Sequence, residues 1–142
     1  MSEIFSVKDF VEVDYVPDLR AVRLKYLKLY DESGTNIPRA VRAAAAYAQA
    51  HMVKNWIADT ALPRDGLSEK DAEWVGTPEF RNILLESPVD KFVLVPPLPE
   101  TGQDVSWIPE WQAATQAGFG EKISVRVLSD AVEIRAFLIE GT

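Results

Sequence analysis

The side chains best suited to chemistry fall into three polar clusters, Asp31, Ser33, Thr35 and Asn36, then Asp59, Thr60, Arg64 and Asp65, then Gln103, Asp104 and Trp107. Two carboxylates brought together from separate clusters, such as Asp31 and Asp59, would suit acid–base work or a hard cation. Ser68 is a candidate of another kind, a hydroxyl at the start of a helix. A phosphate there would meet free backbone N–H groups and the positive end of the helix dipole. Ser68 with Asp71 three residues on is also the spacing of a capping box. Likewise Asp, Ser and Asn populate turns for local reasons alone. His51 is the only histidine, so a Ser-His-Asp arrangement would have to use it. It falls in the last turn of an Ala-rich helix, away from the three clusters, which fails the geometric test for a general base. A lone histidine without neighbouring ligands is equally poor for a metal.

The elements that must position these clusters follow from periodicity. Val11, Val13 and Tyr15 alternate with Glu12 and Asp14, and Val22, Leu24 and Tyr26 alternate with Arg23 and Lys25. Val16-Pro17-Asp18-Leu19 joins them as a turn, which predicts an antiparallel hairpin with acidic residues opposite basic ones. Ile37, Val41, Ala44, Ala48 and Met52 recur at helical spacing, with Asn36 as the expected N-cap and Pro38 in the first turn. Val53 to Asp59 reads as a strand covered on both faces. Ser68 opens a helix that carries Trp74 and Val75 and breaks at Gly76-Thr77-Pro78. A second short helix places Phe80, Ile83 and Leu84 inward and ends at Ser87-Pro88. Lys91 to Val95 is a buried strand stopped by Pro96-Pro97-Leu98-Pro99, a rigid connection that also has the composition of a polyproline ligand. Ser106 or Asp104 caps a helix with Trp107 and Trp111. Ile123, Val125 and Val127 form the last strand, and Asp130 caps the last helix.

The order is β-β-α-β-α-β-α-β-α: a single α/β domain over residues 1–142, with a five-stranded, mostly parallel sheet, one antiparallel edge strand, and four or five helices. A chain of 142 residues with 47% hydrophobic residues can bury a core without staples. The net charge of −7 argues against nucleic acid and anionic membrane as partners. With no cysteine, disulfides, thiolate metal sites and a Cys nucleophile are excluded, in keeping with a reducing cytoplasm. No signal-peptide pattern and no apolar run long enough to span a bilayer is present. Neither a Gly-rich phosphate loop nor any other cofactor signature stands out, so no cofactor is expected.

This layout, with a strand ending in Asp59 before a loop and a helix start, resembles the anti-sigma factor antagonist fold, also called the STAS or SpoIIAA-like domain. The stretch from Val22-Arg23-Leu24-Lys25-Tyr26 through Trp56-Ile57-Ala58-Asp59 to Glu73-Trp74-Val75 looks like small bacterial members of that group without an assigned role. In regulatory members, a serine in an Asp-Ser-Ser-Gly motif begins the helix after this strand and is phosphorylated by a partner kinase. Here the corresponding stretch is Asp65-Gly66-Leu67-Ser68-Glu69-Lys70, in which Ser68 stands near the matching place and the motif itself is absent.

Two functional expectations follow. The resemblance implies a non-enzymatic, cytoplasmic interaction or signalling module, read by a protein partner at Asp59, Thr60 and Ser68. The alternative is a small-molecule-binding protein or minor enzyme using a pocket at the C-terminal rim of the sheet, built from Asp31, Ser33, Asn36, Asp65, Gln103 and Trp107. A flat rim with Ser68 exposed would favour the first. A deep apolar pocket walled by Trp107, with converging carboxylates, would favour the second. Trp56 reads as core, and Trp74, Trp107 and Trp111 on their helices are expected to pack against the sheet in preference to anchoring a partner interface. A homodimer through a helix face is a third expectation.

Overall fold

The computed structural model describes residues 2–140; Met1, Gly141 and Thr142 of the expected domain lie outside the described residues. Six strands form one sheet in the order of the chain: β1 (Ser2–Val7), β2 (Val11–Val16), β3 (Ala21–Tyr26), β4 (Asn55–Asp59), β5 (Lys91–Val95) and β6 (Ser124–Val127). The first two pairings are antiparallel and the last three parallel, so only β2 runs against the rest. The helices are α1 (Asn36–His51), α2 (Glu69–Val75), α3 (Pro78–Leu85), α4 (Ile108–Phe119) and α5 (Ala131–Arg135), the last continued by a π turn over Ala136–Glu140.

The expected hairpin is β2–β3, joined by a 3-10 turn at Pro17–Leu19. Its register sets Glu12 against Lys25 and Asp14 against Arg23, and the latter pair closes an ion pair at 3.0 Å. The sheet has six strands rather than five, and β2 is not its edge: β1 lies outside it. The register of β1 shifts between Glu3 and Phe5. That bulge sets Ile4 and Phe5 side by side and erases the alternation that marks a strand in a sequence.

Because the strands follow chain order without reversal, right-handed crossovers place α1, α2–α3 and α4 on the same face. There Val22, Leu24 and Tyr26 of β3, Trp56 of β4, Phe92 and Leu94 of β5 and Val125 of β6 join one core cluster with α1 and with Leu84 and Phe119. Ala40, Ala44 and Ala48 are fully buried, and their small side chains let α1 lie close to the sheet. On the opposite face Ala21, Ile57 and Val93 pack against Ile134, Phe137 and Leu138 from the C-terminal segment. No helix among the described residues is long and apolar enough to cross a membrane.

Candidate functional site

At the C-terminal ends of β3, β4 and β5 the helix-covered face opens into a cavity of about 360 Å³. Its floor is the sheet itself: Leu24 and Tyr26, Trp56 and Ala58, Phe92 and Leu94. These positions share one side because side chains alternate along a strand, and the parallel register sets Leu24, Ala58 and Leu94 in one row. Ala58 is the small member of that row, so space opens above it between the rings. Ile37 and Val41 of α1, Phe80 of α3 and Trp111 of α4 form the walls. Phe92 packs at 6.2 Å from Trp111, and Trp107 meets Trp111 edge-on at 6.2 Å. None of the lining side chains carries a charge.

The roof consists of the three polar clusters, and their hydrogen bonds tie the loops to one another. Asp65 accepts from the backbone N–H groups of Leu29 at 2.9 Å and Tyr30 at 3.1 Å, joining the loop after β4 to the loop after β3. The Gln103 side-chain amide donates to the carbonyls of Pro63 and Asp65, joining the loop after β5 to the loop after β4. Leu98 N–H donates to the Ala61 carbonyl at 3.1 Å, and Arg64 donates to the Glu100 carbonyl at 3.0 Å. The proline run is thus a rigid part of the roof, with Pro97 lining the cavity. Gly34 completes the frame: it has φ +68°, and a Cβ there would sit 2.9 Å from Lys70 Cβ. Only glycine combines that backbone with so close an approach of α2.

The candidate carboxylates do not converge. Asp31 accepts from Ser33 N–H and hydroxyl and from the N–H groups of Thr35 and Asn36. It therefore caps α1 from outside, and the N-cap position is Thr35 rather than Asn36. Partial burial opposes ionisation of Asp31, but those hydrogen bonds outweigh it and hold the carboxyl below its ordinary range. Asp59 accepts from Ala61 N–H at 3.0 Å and, by strand alternation, lies on the face opposite Ala58. The Thr60 hydroxyl donates to the Val95 carbonyl at 2.7 Å. Of the rim candidates, Gln103 and Trp107 line the cavity, as does Thr60 from the interaction set; Asp31, Ser33, Asn36 and Asp65 lie on the loops around it. Asp104 accepts from Ser106 N–H and hydroxyl in a local turn. Neither of those residues is the N-cap of α4, a position held by Trp107.

Ser68 is buried at 4% exposure. Its oxygen accepts from Asp71 N–H, and its hydroxyl lies 3.2 Å from Asp71 Oδ2, so it is a working N-cap of α2. Asp71 is wholly buried, and its Oδ1 has no hydrogen-bond partner. Burial first, and the nearby Asp31 carboxylate second, push its carboxyl up against the opposing Ser68 hydrogen bond. Burial, and then Asp71, raise the Tyr26 hydroxyl in turn, so it stays a neutral phenol. His51 lies at the other end of the sheet, stacked on Tyr47 at 4.2 Å, as its helix position implied.

Sequence reasoning missed the rings that make the cavity. Trp56 and Trp111 read as core, and Tyr26 as one more strand position. The available signal was the small Ala58 set among Trp56, Phe92 and Leu94 on the same side of the sheet. No protein-family model matches the chain, and neither a curated protein nor a solved structure is found that matches it.

Proposed function

We propose that this α/β domain binds a small apolar ligand in the cavity at the C-terminal ends of β3, β4 and β5. The observation that carries the reading is an uncharged, aromatic-walled space of about 360 Å³ beneath loops already tied in place. Such pockets range over roughly 300–1,000 Å³ and are mostly apolar with a few fixed polar groups. Leu62, Leu67, Leu98, Val105 and Trp107 are exposed on the two loops that roof the space, an apolar entrance suited to a ligand that avoids water. The carboxylates are engaged in capping and loop ties, which favours binding over acid–base catalysis.

The signalling reading draws less support. Phosphorylation of Ser68 would require α2 to release its cap, and the side chains of Asp59 and Thr60 are engaged with the Ala61 N–H and the Val95 carbonyl. A thermal-shift screen of apolar compounds tests the proposal. A ligand at ~100 times its Kd adds ~2.7 kcal/mol of native-state stability, several degrees in Tm for a domain of this size. Absence of any shift, together with partner capture that depends on Ser68, would overturn it in favour of the interaction surface.

A further inference from the structure

Three side chains of the cavity keep a hydrogen-bond donor open, and two of them, the indoles, can only donate. The Tyr26 hydroxyl and the indole N–H groups of Trp56 and Trp111 make no hydrogen bond among the described residues, while all three rings line the space. Trp56 is 1% and Tyr26 6% exposed. Among the described residues Asp71 Oδ1 is the one sealed polar side-chain atom without a partner, so these three tips are open to the space. Tyr and Trp tips in an apolar setting ordinarily find a partner, and here they mark places where something else accepts. The other lining groups are already engaged: Thr60 with Val95, Trp107 Nε1 with the Asp104 carbonyl, and both amide N–H groups of Gln103 with loop carbonyls. Gln103 Oε1, in the roof, and the hydroxyl oxygens of Thr60 and Tyr26 can still accept, whereas the two indole N–H groups can only donate.

We propose that the ligand is a neutral, largely apolar, ring-sized molecule carrying a carbonyl-type acceptor, which meets the donors of Tyr26, Trp56 and Trp111. This inference rests on the pocket reading above and narrows it to a class. A carboxylate or phosphate finds no cation in the lining. It would also enter a chain of net charge −7. A hydrocarbon without an acceptor leaves all three donors unpaired, which costs affinity whenever their water is displaced. The aromatic walls favour a flat ring system, through offset stacking and edge contacts.

The test compares three probes of one shape by isothermal titration calorimetry on the whole chain: naphthalene, 2-acetylnaphthalene and 2-naphthoate. The ketone is expected to bind about three- to tenfold more tightly than naphthalene, the range of one neutral hydrogen bond. The anion is expected to bind at least about tenfold more weakly than the ketone, because its charge must be desolvated without a partner. Tyr26→Phe, and separately Trp56→Phe, should narrow the ketone-to-naphthalene ratio, with folding checked by circular dichroism. Equal affinity for naphthalene and the ketone, or a ratio untouched in both variants, overturns the acceptor assignment and leaves the apolar pocket standing. Preference for the anion overturns it as well. Failure of all three probes to bind removes the pocket reading and this inference together.

Discussion

Two hollows of nearly equal size lie at opposite ends of the parallel strands, and they differ in everything but volume. The one at the C-terminal ends measures about 360 Å³ and has an uncharged lining. The one at the N-terminal ends measures about 380 Å³ and is lined by Arg20, His51, Lys54, Asn55, Asp90 and Lys91 among others. In the second, two of the polar groups serve the chain itself. Asn55 donates to the carbonyls of Leu19 and Leu138, and Lys91 donates to the Phe137 carbonyl at 2.9 Å. These bonds fasten the C-terminal segment under the sheet. In the polar hollow Asn55 and Lys91 are bonded to the chain itself and the remaining cations face outward from a charged lining, whereas the apolar one holds its few donors among uncharged rings. What separates the two is the chemistry of the lining, not the amount of space.

That contrast can be broken by mutation. Trp56→Ala, at the floor of the apolar cavity, should cost about 3–5 kcal/mol in urea denaturation, the usual range for a buried aromatic. Asp31→Ala should cost about 1–2 kcal/mol, since it strips the cap from α1. The Asp31 carboxyl has its folded pKa below the unfolded value. Its stabilisation is therefore present above the ordinary carboxylate range and lost as pH falls through the lowered value. An acid titration of wild type against this variant should show the two curves converging at low pH.

Trp107→Ala should weaken an apolar probe by about tenfold, or ~1.4 kcal/mol. It should barely move Tm, because Trp107 is 42% exposed. Asp71 behaves opposite to Asp31. Its folded pKa is raised, so its neutral form favours folding at low pH, and that advantage is lost as pH rises from the ordinary carboxylate range through the raised value. Asp71→Asn should accordingly raise Tm at neutral pH by the equivalent of about 1 kcal/mol, with the gain vanishing near pH ~4. Lys54→Ala, in the polar hollow, should change stability by no more than ~0.5 kcal/mol. A loss there as large as that at Trp56 would erase the distinction between the two ends.

Much of this architecture was legible where one rule acted alone. The β2–β3 hairpin followed from alternation, with its charge pairs in register, and Ser68 was readable as a cap because the Ser-x-x-Asp spacing is local. Where two levels competed, the reading faltered. The bulge in β1 hid a strand, and Asp31 displaced Asn36 as the capping side chain from five residues away, beyond the reach of any local cap pattern. The rim residues lie on the loops around the cavity, where Asp65 and Gln103 tie one loop to the next and Asp31 caps α1. The cavity itself depends on a gap above Ala58, and a gap is a property of packing between elements distant in the chain.

The uninterrupted strand order has a consequence for how the molecule is made. Every strand lies beside the strands that precede and follow it in the chain, so each new one meets a partner that has already been synthesised. A sheet of this kind can be extended in the direction of translation, without waiting for a distant segment to slot between earlier strands. Ribosome-bound chains halted after α2 should already protect the amides of β2 and β3 from exchange, while the cavity closes only when α4 has emerged to supply its last wall.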